Sequence, residues 1–324
     1  MGSDAIALPA LNWIFWGKEA KVVGVFTQPD RAAGRGQKIQ ANAIKLWAQA
    51  GDLPLLQPEK FGDAERRQLA DLKPDLTLVM AYGHILKQDV IDTPRLGTLN
   101  LHTSILPKYR GASPIQTATA VGEKETGVTL MRMVLALDAG PVADVERVVI
   151  ASLDTAADVE AKLAQACVPL LARCLTKIAS GSQAFTKQDA AKVTFCRKLE
   201  KTDGVLDFTQ PAAVLAARIN GLMPWPGCAV EINAQLVKLG LADECHPLDD
   251  KFPEPGVVSD SDADGLLVGT GQGILRLRKL QRPGGKMLPA AEFLRGWPVA
   301  PGTRLPSHPM PPLVGPVPFP RPKG

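Results

Sequence analysis

Asn100, His102 and Asp138 are side chains of the types that catalyse acyl transfer to an amine. Asn100 and His102 alternate with leucines, so the two-residue period of a strand places both of them on the same face. An amide N–H and an imidazole N–H can stabilise the oxyanion that develops on a carbonyl under attack. A carboxylate can orient the imidazole and help to move protons from the attacking amine. This chemistry needs no covalent nucleophile.

Asp138 is the residue that favours a catalytic interpretation over a structural one. Taken alone, Asn100 and His102 fit a turn-forming asparagine and a hydrogen-bonded histidine better than a site. Asp138, however, ends the apolar run 130–137 just before a Gly-Pro turn. A carboxylate at the end of a buried segment needs a partner, and His102 is the obvious candidate. The three side chains are therefore predicted to converge at the ends of neighbouring strands, where open α/β sheets bind ligands.

Other common chemistries find no support in the sequence. Ser104 lacks the G-x-S-x-G turn that exposes a serine nucleophile. No G-x-G-x-x-G follows a strand and no complete P-loop occurs, so a nucleotide-dependent reaction is not indicated. The five cysteines are odd in number and never spaced as C-x-x-C. Their pattern argues against a disulfide framework and a zinc site and favours a reducing cytosol, so no metal is expected.

Strand-like and helix-like segments alternate through the first half of the chain. Strands are predicted at 21–26, 53–56, 75–81, 97–102, 126–137 and 142–150, and helices at 41–50 and 153–180. The strands are nearly continuous in apolar residues, which is typical of strands covered on both faces. This half therefore predicts an α/β fold with a Rossmann-like, mostly parallel sheet.

The second half has shorter strand-like pieces separated by Gly- and Pro-rich turns, which predicts a small antiparallel, OB-like barrel. The predicted organisation is a catalytic domain at 1–184, a linker at 185–202, a second domain at 203–304 and a Pro-rich tail at 305–324. The tail is expected to be disordered or polyproline-like, since eight prolines in twenty residues leave little to bury.

Charge is unevenly distributed along the 324-residue chain, whose formal net charge is +4. Residues 271–304 carry seven Lys or Arg against Glu292 alone, while 243–264 carry eight Asp or Glu against Lys251. Segregated signs of this kind predict a polyanion on one face, although a solvated surface without a partner stays open. No apolar run approaches the roughly 18 residues that would span a bilayer, so no membrane partner is predicted.

The motifs around these residues resemble the folate-dependent formyltransferases. The matching segments are 100–107, 108–116, 125–129 and 138–140, with further matches at 27–38, 57–60, 81–83, 220–227 and 280–286. The resemblance covers roughly residues 1–304 and is specific because both halves of the chain match in order.

The resemblance implies transfer of a formyl group from 10-formyltetrahydrofolate to the amine of methionine on initiator tRNA, with Asn100, His102 and Asp138 as catalytic residues. The implied folate-site residues are Ser104, Ile105, Leu106, Pro107, Ala81, Tyr82 and Gly83. The implied tRNA-binding residues are Arg31, Arg35 and Lys38 in a basic loop and Arg276, Arg278 and Lys286 in the second domain. Basic side chains suit this role because phosphate contacts depend on Lys and Arg. A cytoplasmic monomer is expected.

The resemblance departs from the family at the start of the chain. Family members begin with a short apolar strand before a glycine turn, and Gly2–Asp4 resembles that turn with the strand absent. Because the first strand is central in doubly wound sheets, the chain as written is expected to be less stable, and a start codon is expected upstream.

Two alternative functions stay open. One is a formyltransferase that uses the same folate donor on a small amine, such as a nucleotide sugar or glycinamide ribonucleotide. The other is an RNA-binding remnant without activity. The second domain and the Arg31–Lys38 loop count against the small-amine alternative.

Overall fold

The computed structural model describes residues 1–33, 38–245 and 253–320. The chain forms two compact units. The first consists of Met1–Arg110, Gly127–Val148 and Glu160–Val193, and the second of Gly111–Thr126, Val149–Val159 and Thr194–Gly324. The second unit thus draws on two stretches that precede the predicted domain limit at residue 184.

The helices are α1 (Leu8–Trp16), α2 (Ala43–Ala50), α3 (Asp63–Asp71), α4 (Gln88–Ile91), α5 (Pro114–Ala120), α6 (Ala156–Ala179), α7 (Ala212–Gly221) and α8 (Ala290–Gly296). The strands are β1 (Val25–Phe26), β2 (Arg31–Ala33), β3 (Lys38–Gln40), β4 (Leu55–Leu56), β5 (Thr77–Val79), β6 (Thr98–His102), β7 (Arg110–Gly111), β8 (Glu125–Arg132), β9 (Val142–Val149), β10 (Phe195–Cys196), β11 (Cys228–Ile232), β12 (Gln235–Cys245), β13 (Val258–Ser261), β14 (Leu266–Gly269), β15 (Ile274–Gln281), β16 (Leu288–Pro289) and β17 (Val314–Gly315).

The first unit contains two parallel strand pairs, one of which is extended by an antiparallel strand. β1 pairs with β4 in parallel, and a separate four-stranded sheet has the order β5–β6–β8–β9. β5 and β6 are parallel, whereas β8 is antiparallel to β6. The predicted Rossmann-like α/β fold is confirmed. The strand predicted at 126–137, however, ends at Arg132 and is antiparallel to β6.

Met1 and Gly2 lie between the β1–β4 pair and the four-stranded sheet of the first unit. The Gly2 amide donates to the Phe26 carbonyl at 3.0 Å, and the Met80 amide donates to the Met1 carbonyl at 3.0 Å. Gly2 also forms an isolated parallel bridge with Met80. Met1 and Gly2 thus occupy the position of the central strand that the sequence predicts to be absent. The expected loss of stability stays a prediction.

Helix α6 contributes an apolar stripe to the first unit, as its sequence predicts. Leu163, Cys167, Leu170, Leu171 and Cys174 are all buried. Full burial of a leucine side chain stabilises the fold by about 1.5–3 kcal/mol, so this stripe is enough to hold the helix in place.

The second unit is built on an antiparallel sheet with the order β11–β12–β15–β14–β13, to which β16 adds beside β15. Helix α7 is tied to this sheet by Asn220, whose amide donates to the Ala242 carbonyl at 2.8 Å and accepts from the Ala242 amide at 2.9 Å. The predicted antiparallel second half is confirmed. The sheet is open across the described residues, so closure into an OB-like barrel is not established.

Of the two alternatives for the tail, disordered or polyproline-like, the disordered one is wrong for residues 305–320. Leu305 and Leu313 are both 2% exposed and belong to the core of the second unit. β17 pairs antiparallel with β10, and Arg218 donates to the Pro311 carbonyl at 3.0 Å. Prolines restrict the backbone before folding and keep their carbonyl acceptors, so a few interspersed leucines are enough to order such a segment. Residues 321–324 lie outside the described part.

Across residues 1–33, 38–245 and 253–320, no helix has both the length and the hydrophobicity needed to cross a membrane.

Candidate active site

Asn100 and His102 lie on a strand, β6, as the sequence predicts, and β6 lies between β5 and β8. The leucines at 99 and 101 are buried on the opposite face. Asn100 is half-buried, and the His102 side chain is only 7% exposed. Within the described ranges, no protein group hydrogen-bonds the side-chain amide of Asn100. That amide can therefore donate to a bound carbonyl oxygen.

The Tyr109 carbonyl fixes the orientation of the His102 ring. His102 Nε2 lies 3.0 Å from the Tyr109 carbonyl oxygen, inside the buried part of the unit. Because a carbonyl oxygen only accepts, Nε2 carries the proton of the neutral ring and Nδ1 carries the lone pair. The sequence assigns this orienting role to a carboxylate, so the structure adds a backbone group that residue types alone do not reveal.

Asp138 faces the other nitrogen of the same ring. Its Oδ2 lies 3.8 Å from His102 Nδ1, and its side chain is 14% exposed. The distance exceeds a direct hydrogen bond and lies within the range of an ion pair. The carboxylate therefore lies beside the ring nitrogen that does not face the Tyr109 carbonyl.

Asp138 reaches His102 from a loop and not from the end of a strand, which corrects the sequence-based picture. β8 runs antiparallel to β6, so its end at Arg132 lies opposite Leu99, away from His102. The Met133 amide donates to the Thr98 carbonyl at 2.8 Å. The loop 133–141 must then return along β6 to bring Asp138 back to the level of His102.

The backbone of this loop has two special positions. Asp138 has a φ of +46°, a left-handed conformation that costs a non-glycine residue about 1–2 kcal/mol. A Cβ at Gly140 would lie 1.7 Å from the Arg132 carbonyl oxygen, so only glycine fits there. The order Asp-Ala-Gly therefore has a steric reason as well as a chemical one.

Arg110 is the basic side chain whose charge acts on Asp138. Burial lowers the pKa of the Arg110 guanidinium, and the negative charge of Asp138 opposes that shift. Arg110 is part of the motif at 108–116, but its residue type and position in the sequence do not indicate this role.

The turn Ser104–Pro107, predicted to line the folate site, is fixed by Thr129. Thr129 Oγ1 donates to the Ser104 carbonyl at 2.6 Å and accepts from the Leu106 amide at 3.1 Å. Ser104 Oγ donates to the Lys108 carbonyl at 2.6 Å, which explains why this hydroxyl is a structural group. Ile105 and Pro107 are half-buried, whereas Leu106 is buried. Sequence reasoning missed Thr129, which lies opposite His102 in the sheet register.

The segment 81–83 presents its backbone and not its tyrosine ring. Ala81 and Gly83 are exposed and have φ values of +47° and +81°. Tyr82 is 2% exposed within an apolar cluster, and burial raises the pKa of its hydroxyl. The Tyr82 carbonyl accepts from Gln28 Nε2 at 3.1 Å. A contribution of this segment to a ligand site would therefore come from the backbone.

The predicted basic loop is the hairpin of β2 and β3. Arg31 and Lys38 are exposed on it, and Arg31 donates to Gln28 Oε1 at 3.1 Å. At its base, Asp30 accepts from Lys45, whose hydrogen bond is the main reason why the pKa of that carboxyl is lowered. Arg35 lies outside the described residues.

The structure does not keep the two signs of charge apart in the second unit. Asp243 accepts four hydrogen bonds, two each from Arg276 and Arg278, at 2.7–3.0 Å. Asp262 and Asp264, from the acidic stretch, also lie within 3.7 Å of Arg276. The predicted segregation is therefore wrong for these arginines, because β12, β14 and β15 bring residues distant in sequence side by side. Lys286, by contrast, is exposed.

No group of three or more His, Cys, Asp or Glu side chains that could hold a metal ion occurs in the described part of the chain. The site in the first unit thus consists of an amide, an imidazole and a carboxylate on one side of β6. Such a set can stabilise negative charge on a carbonyl oxygen and move a proton from an attacking amine.

Two family models match the chain in sequence order. The model described as formyl transferase matches residues 14–175, and the model described as formyl transferase, C-terminal domain, matches residues 198–298. The chain therefore belongs to the formyltransferase family.

Methionyl-tRNA formyltransferases are among its curated relatives within that family. That of Burkholderia thailandensis is 41% identical over 291 residues, which cover 87% of this chain and 88% of the relative. That of Ralstonia nicotianae is 39% identical over 298 residues, which cover 89% and 91% of the two chains.

Solved structures show the same fold at lower identity. The sugar 3N-formyl transferase WlaRD, crystallised with dTDP and 5-N-formyl-THF, has a TM-score of 0.64 at 18% identity and covers 85% of this chain and 95% of its own. The N-formyltransferase of Helicobacter canadensis, in complex with folinic acid and dTDP-3-aminofucose, has a TM-score of 0.63 at 17% identity and covers 85% and 97%.

Proposed function

We propose that this chain transfers a formyl group from 10-formyltetrahydrofolate to the amino group of methionyl initiator tRNA, for translation initiation. The observation that carries the proposal is the convergence of Asn100, His102 and Asp138 on one side of β6. The family match over both parts of the chain and the identity to methionyl-tRNA formyltransferases support it.

Each of the three side chains has a distinct task in this reaction. The bound folate supplies a formyl carbon that is open to attack by an amine. Asn100 donates its amide N–H to the formyl oxygen, where negative charge develops. His102, with Nε2 held by the Tyr109 carbonyl, takes up the proton of the attacking amine at Nδ1. Asp138, 3.8 Å from that nitrogen, stabilises the imidazolium that results. The imidazolium then returns the proton to the folate nitrogen, which leaves as its bond to the formyl carbon breaks, and the formyl group stays on the amine.

The residues around these groups fit a folate. The exposed backbone at Ala81 and Gly83 follows β5, and the turn Ser104–Pro107 follows β6, so both lie at the carboxyl ends of parallel strands. A flat heteroaromatic ring with donors and acceptors on its edge needs backbone groups and an apolar side chain of this kind. We assign Ser104, Ile105, Leu106 and Pro107, with the backbone of Ala81, Tyr82 and Gly83, to this site.

The tRNA is assigned to basic side chains that water can reach. Arg31 and Lys38 on the hairpin and Lys286 in the second unit are exposed and can contact phosphates. Arg276 and Arg278 in the second unit are also assigned to tRNA binding, although their guanidinium groups are already bound to Asp243. Closure of the second unit into an OB-like barrel and a monomeric state complete the proposal.

A formylation assay tests the proposal. The purified chain is incubated with 10-formyltetrahydrofolate and either charged initiator methionyl-tRNA or a dTDP-amino sugar, and formylated product is measured. We expect product with the tRNA alone. Product with the amino sugar alone would support the small-amine alternative, and salt-dependent tRNA binding without formylation would support an inactive RNA-binding protein.

A further inference from the structure

Gln188 makes four hydrogen bonds that use the full capacity of its amide. Its Nε2 donates to the backbone carbonyls of Asp138, at 2.8 Å, and of Gly140, at 2.7 Å. Its Oε1 accepts from Arg110 Nε at 3.1 Å and from Arg110 Nη2 at 2.7 Å. Two donors and two acceptor sites on one side chain are therefore all occupied, which fixes the position of the amide.

The two carbonyls that Gln188 binds lie on either side of Ala139 in the loop 133–141. This loop leaves the sheet after Arg132 and carries Asp138 in a left-handed backbone conformation. Strands β6 and β8 hold its two ends, where the Met133 amide donates to the Thr98 carbonyl and the Pro141 carbonyl accepts from the Arg132 amide. Gln188 binds the part between these ends, which carries Asp138, and so helps to set the position of the carboxylate.

Arg110 connects this loop to the histidine. Arg110 follows Tyr109, whose carbonyl binds His102 Nε2 at 3.0 Å. A continuous path therefore runs from His102 through Tyr109 and Arg110 to Gln188, and from there to the backbone of Asp138. The path starts at one ring nitrogen of His102 and ends at the residue that faces the other.

We propose that Gln188 is a positioning residue that sets the distance between the Asp138 carboxylate and His102 Nδ1. The inference rests on the proposed function, because it concerns the same site. Glutamine is suited to this task since glutamate cannot donate to two carbonyls and leucine can neither donate nor accept.

The test is Gln188→Leu, which keeps the size of the side chain and removes all four hydrogen bonds. We expect kcat for formylation to fall about 10- to 100-fold, because small displacements of reacting groups have effects of this size. KM for both substrates should stay within about twofold, since Gln188 is assigned to neither binding site.

Gln183 provides a matched control on the same segment. Its Nε2 also donates to two backbone carbonyls, those of Ala143 at 3.0 Å and Ala184 at 2.9 Å, but neither belongs to the loop 133–141. Gln183→Leu should keep kcat within about twofold of the unmodified chain. An equal fall of kcat in both variants would overturn the proposal, because it would point to a general structural effect.

Two further measurements separate positioning from other roles. In an Asp138→Asn background, Gln188→Leu should lower kcat no further, because it acts through Asp138. A full additional loss in that background would contradict the proposal. Amide hydrogen exchange in the loop 133–141 should become faster in Gln188→Leu and not in Gln183→Leu. Amide hydrogen exchange does not depend on activity, so an unchanged exchange rate in Gln188→Leu would refute the positioning role. An unmodified chain without formylation activity would refute only the proposed function.

Discussion

Asp138 in the first unit and Asp243 in the second are both largely buried carboxylates near arginines, but the chain holds them in different ways. Four N–H groups of Arg276 and Arg278 bind the two carboxylate oxygens of Asp243 directly. At Asp138, Gln188 binds the backbone carbonyl, and the carboxylate faces His102 at 3.8 Å.

The difference distinguishes a structural carboxylate from one to which we assign a catalytic role. Burial alone would raise the pKa of Asp243, but the hydrogen bonds from Arg276 and Arg278 outweigh it and lower that pKa. A carboxylate that accepts four hydrogen bonds is a poor proton acceptor and ties two strands together. At Asp138, Gln188 binds the backbone carbonyl and the carboxylate faces His102, as the proposed function requires.

The largest expected effect is on catalysis, from Asp138→Asn. This variant keeps the shape of the side chain and removes its charge, so kcat for formylation should fall by ~10²–10⁴-fold with little change in the unfolding temperature. Asp144→Asn, at an exposed ion pair with Arg173, is the control and should remain within about twofold. Full activity of Asp138→Asn would remove the carboxylate from the mechanism.

The next effect is on stability, from Asp243→Asn. The variant removes the carboxylate that binds both guanidinium groups, which are about one fifth exposed, and should lower the free energy of unfolding by about 2 kcal/mol. Asp264→Asn is the control, because its contacts with the same arginines are 3.6–3.7 Å and its side chain is 60% exposed. Its expected effect is below about 0.5 kcal/mol, measured by urea unfolding. Equal effects of the two variants would contradict the structural role of Asp243.

The pH dependence of stability sharpens the same contrast. The folded-state pKa of Asp243 lies below its usual value of 3.8, so the carboxylate stabilises the fold fully above that value. The contribution is lost as the pH falls below 3.8 and through the lower, folded-state pKa. The difference in unfolding temperature between the unmodified chain and Asp243→Asn should therefore be constant from about pH 5 to 7 and shrink below about pH 4. A difference that grows on acidification would refute the assignment.

The smallest effect separates exposed basic residues from paired ones. Arg282 and Lys286 are exposed, so replacing both by alanine should weaken tRNA binding a few-fold and lower the salt dependence of log K by about 1–2. Arg278→Ala should mainly reduce stability, because its guanidinium binds Asp243. Binding of tRNA measured by filter retention between 50 and 200 mM salt distinguishes the double variant from Arg278→Ala. A larger change in the slope of log K against log salt for Arg278→Ala would show that Arg278 contacts phosphate directly.

Local pattern was enough to predict β6 and the stripe of α6, because both depend on the spacing of apolar residues. The antiparallel direction of β8 could not be predicted, since a buried parallel strand and a buried antiparallel strand have the same apolar composition. The ordering of the tail was missed because two leucines among prolines give no periodic signal, although Leu313 is buried in the core. Thr129 and Gln188 were missed for a related reason: each acts on backbone groups that only the fold brings near.

The sequence by itself determined that Asn100 and His102 share a face, because a strand has a period of two, and the matching motifs determined the family. The tertiary structure decided how Asp138 reaches them, which nitrogen of His102 faces the Tyr109 carbonyl and which faces Asp138, and which arginines already have a carboxylate partner. These properties depend on contacts between residues far apart in the chain, and the direction of a strand or the return of a loop sets such contacts without changing any local pattern.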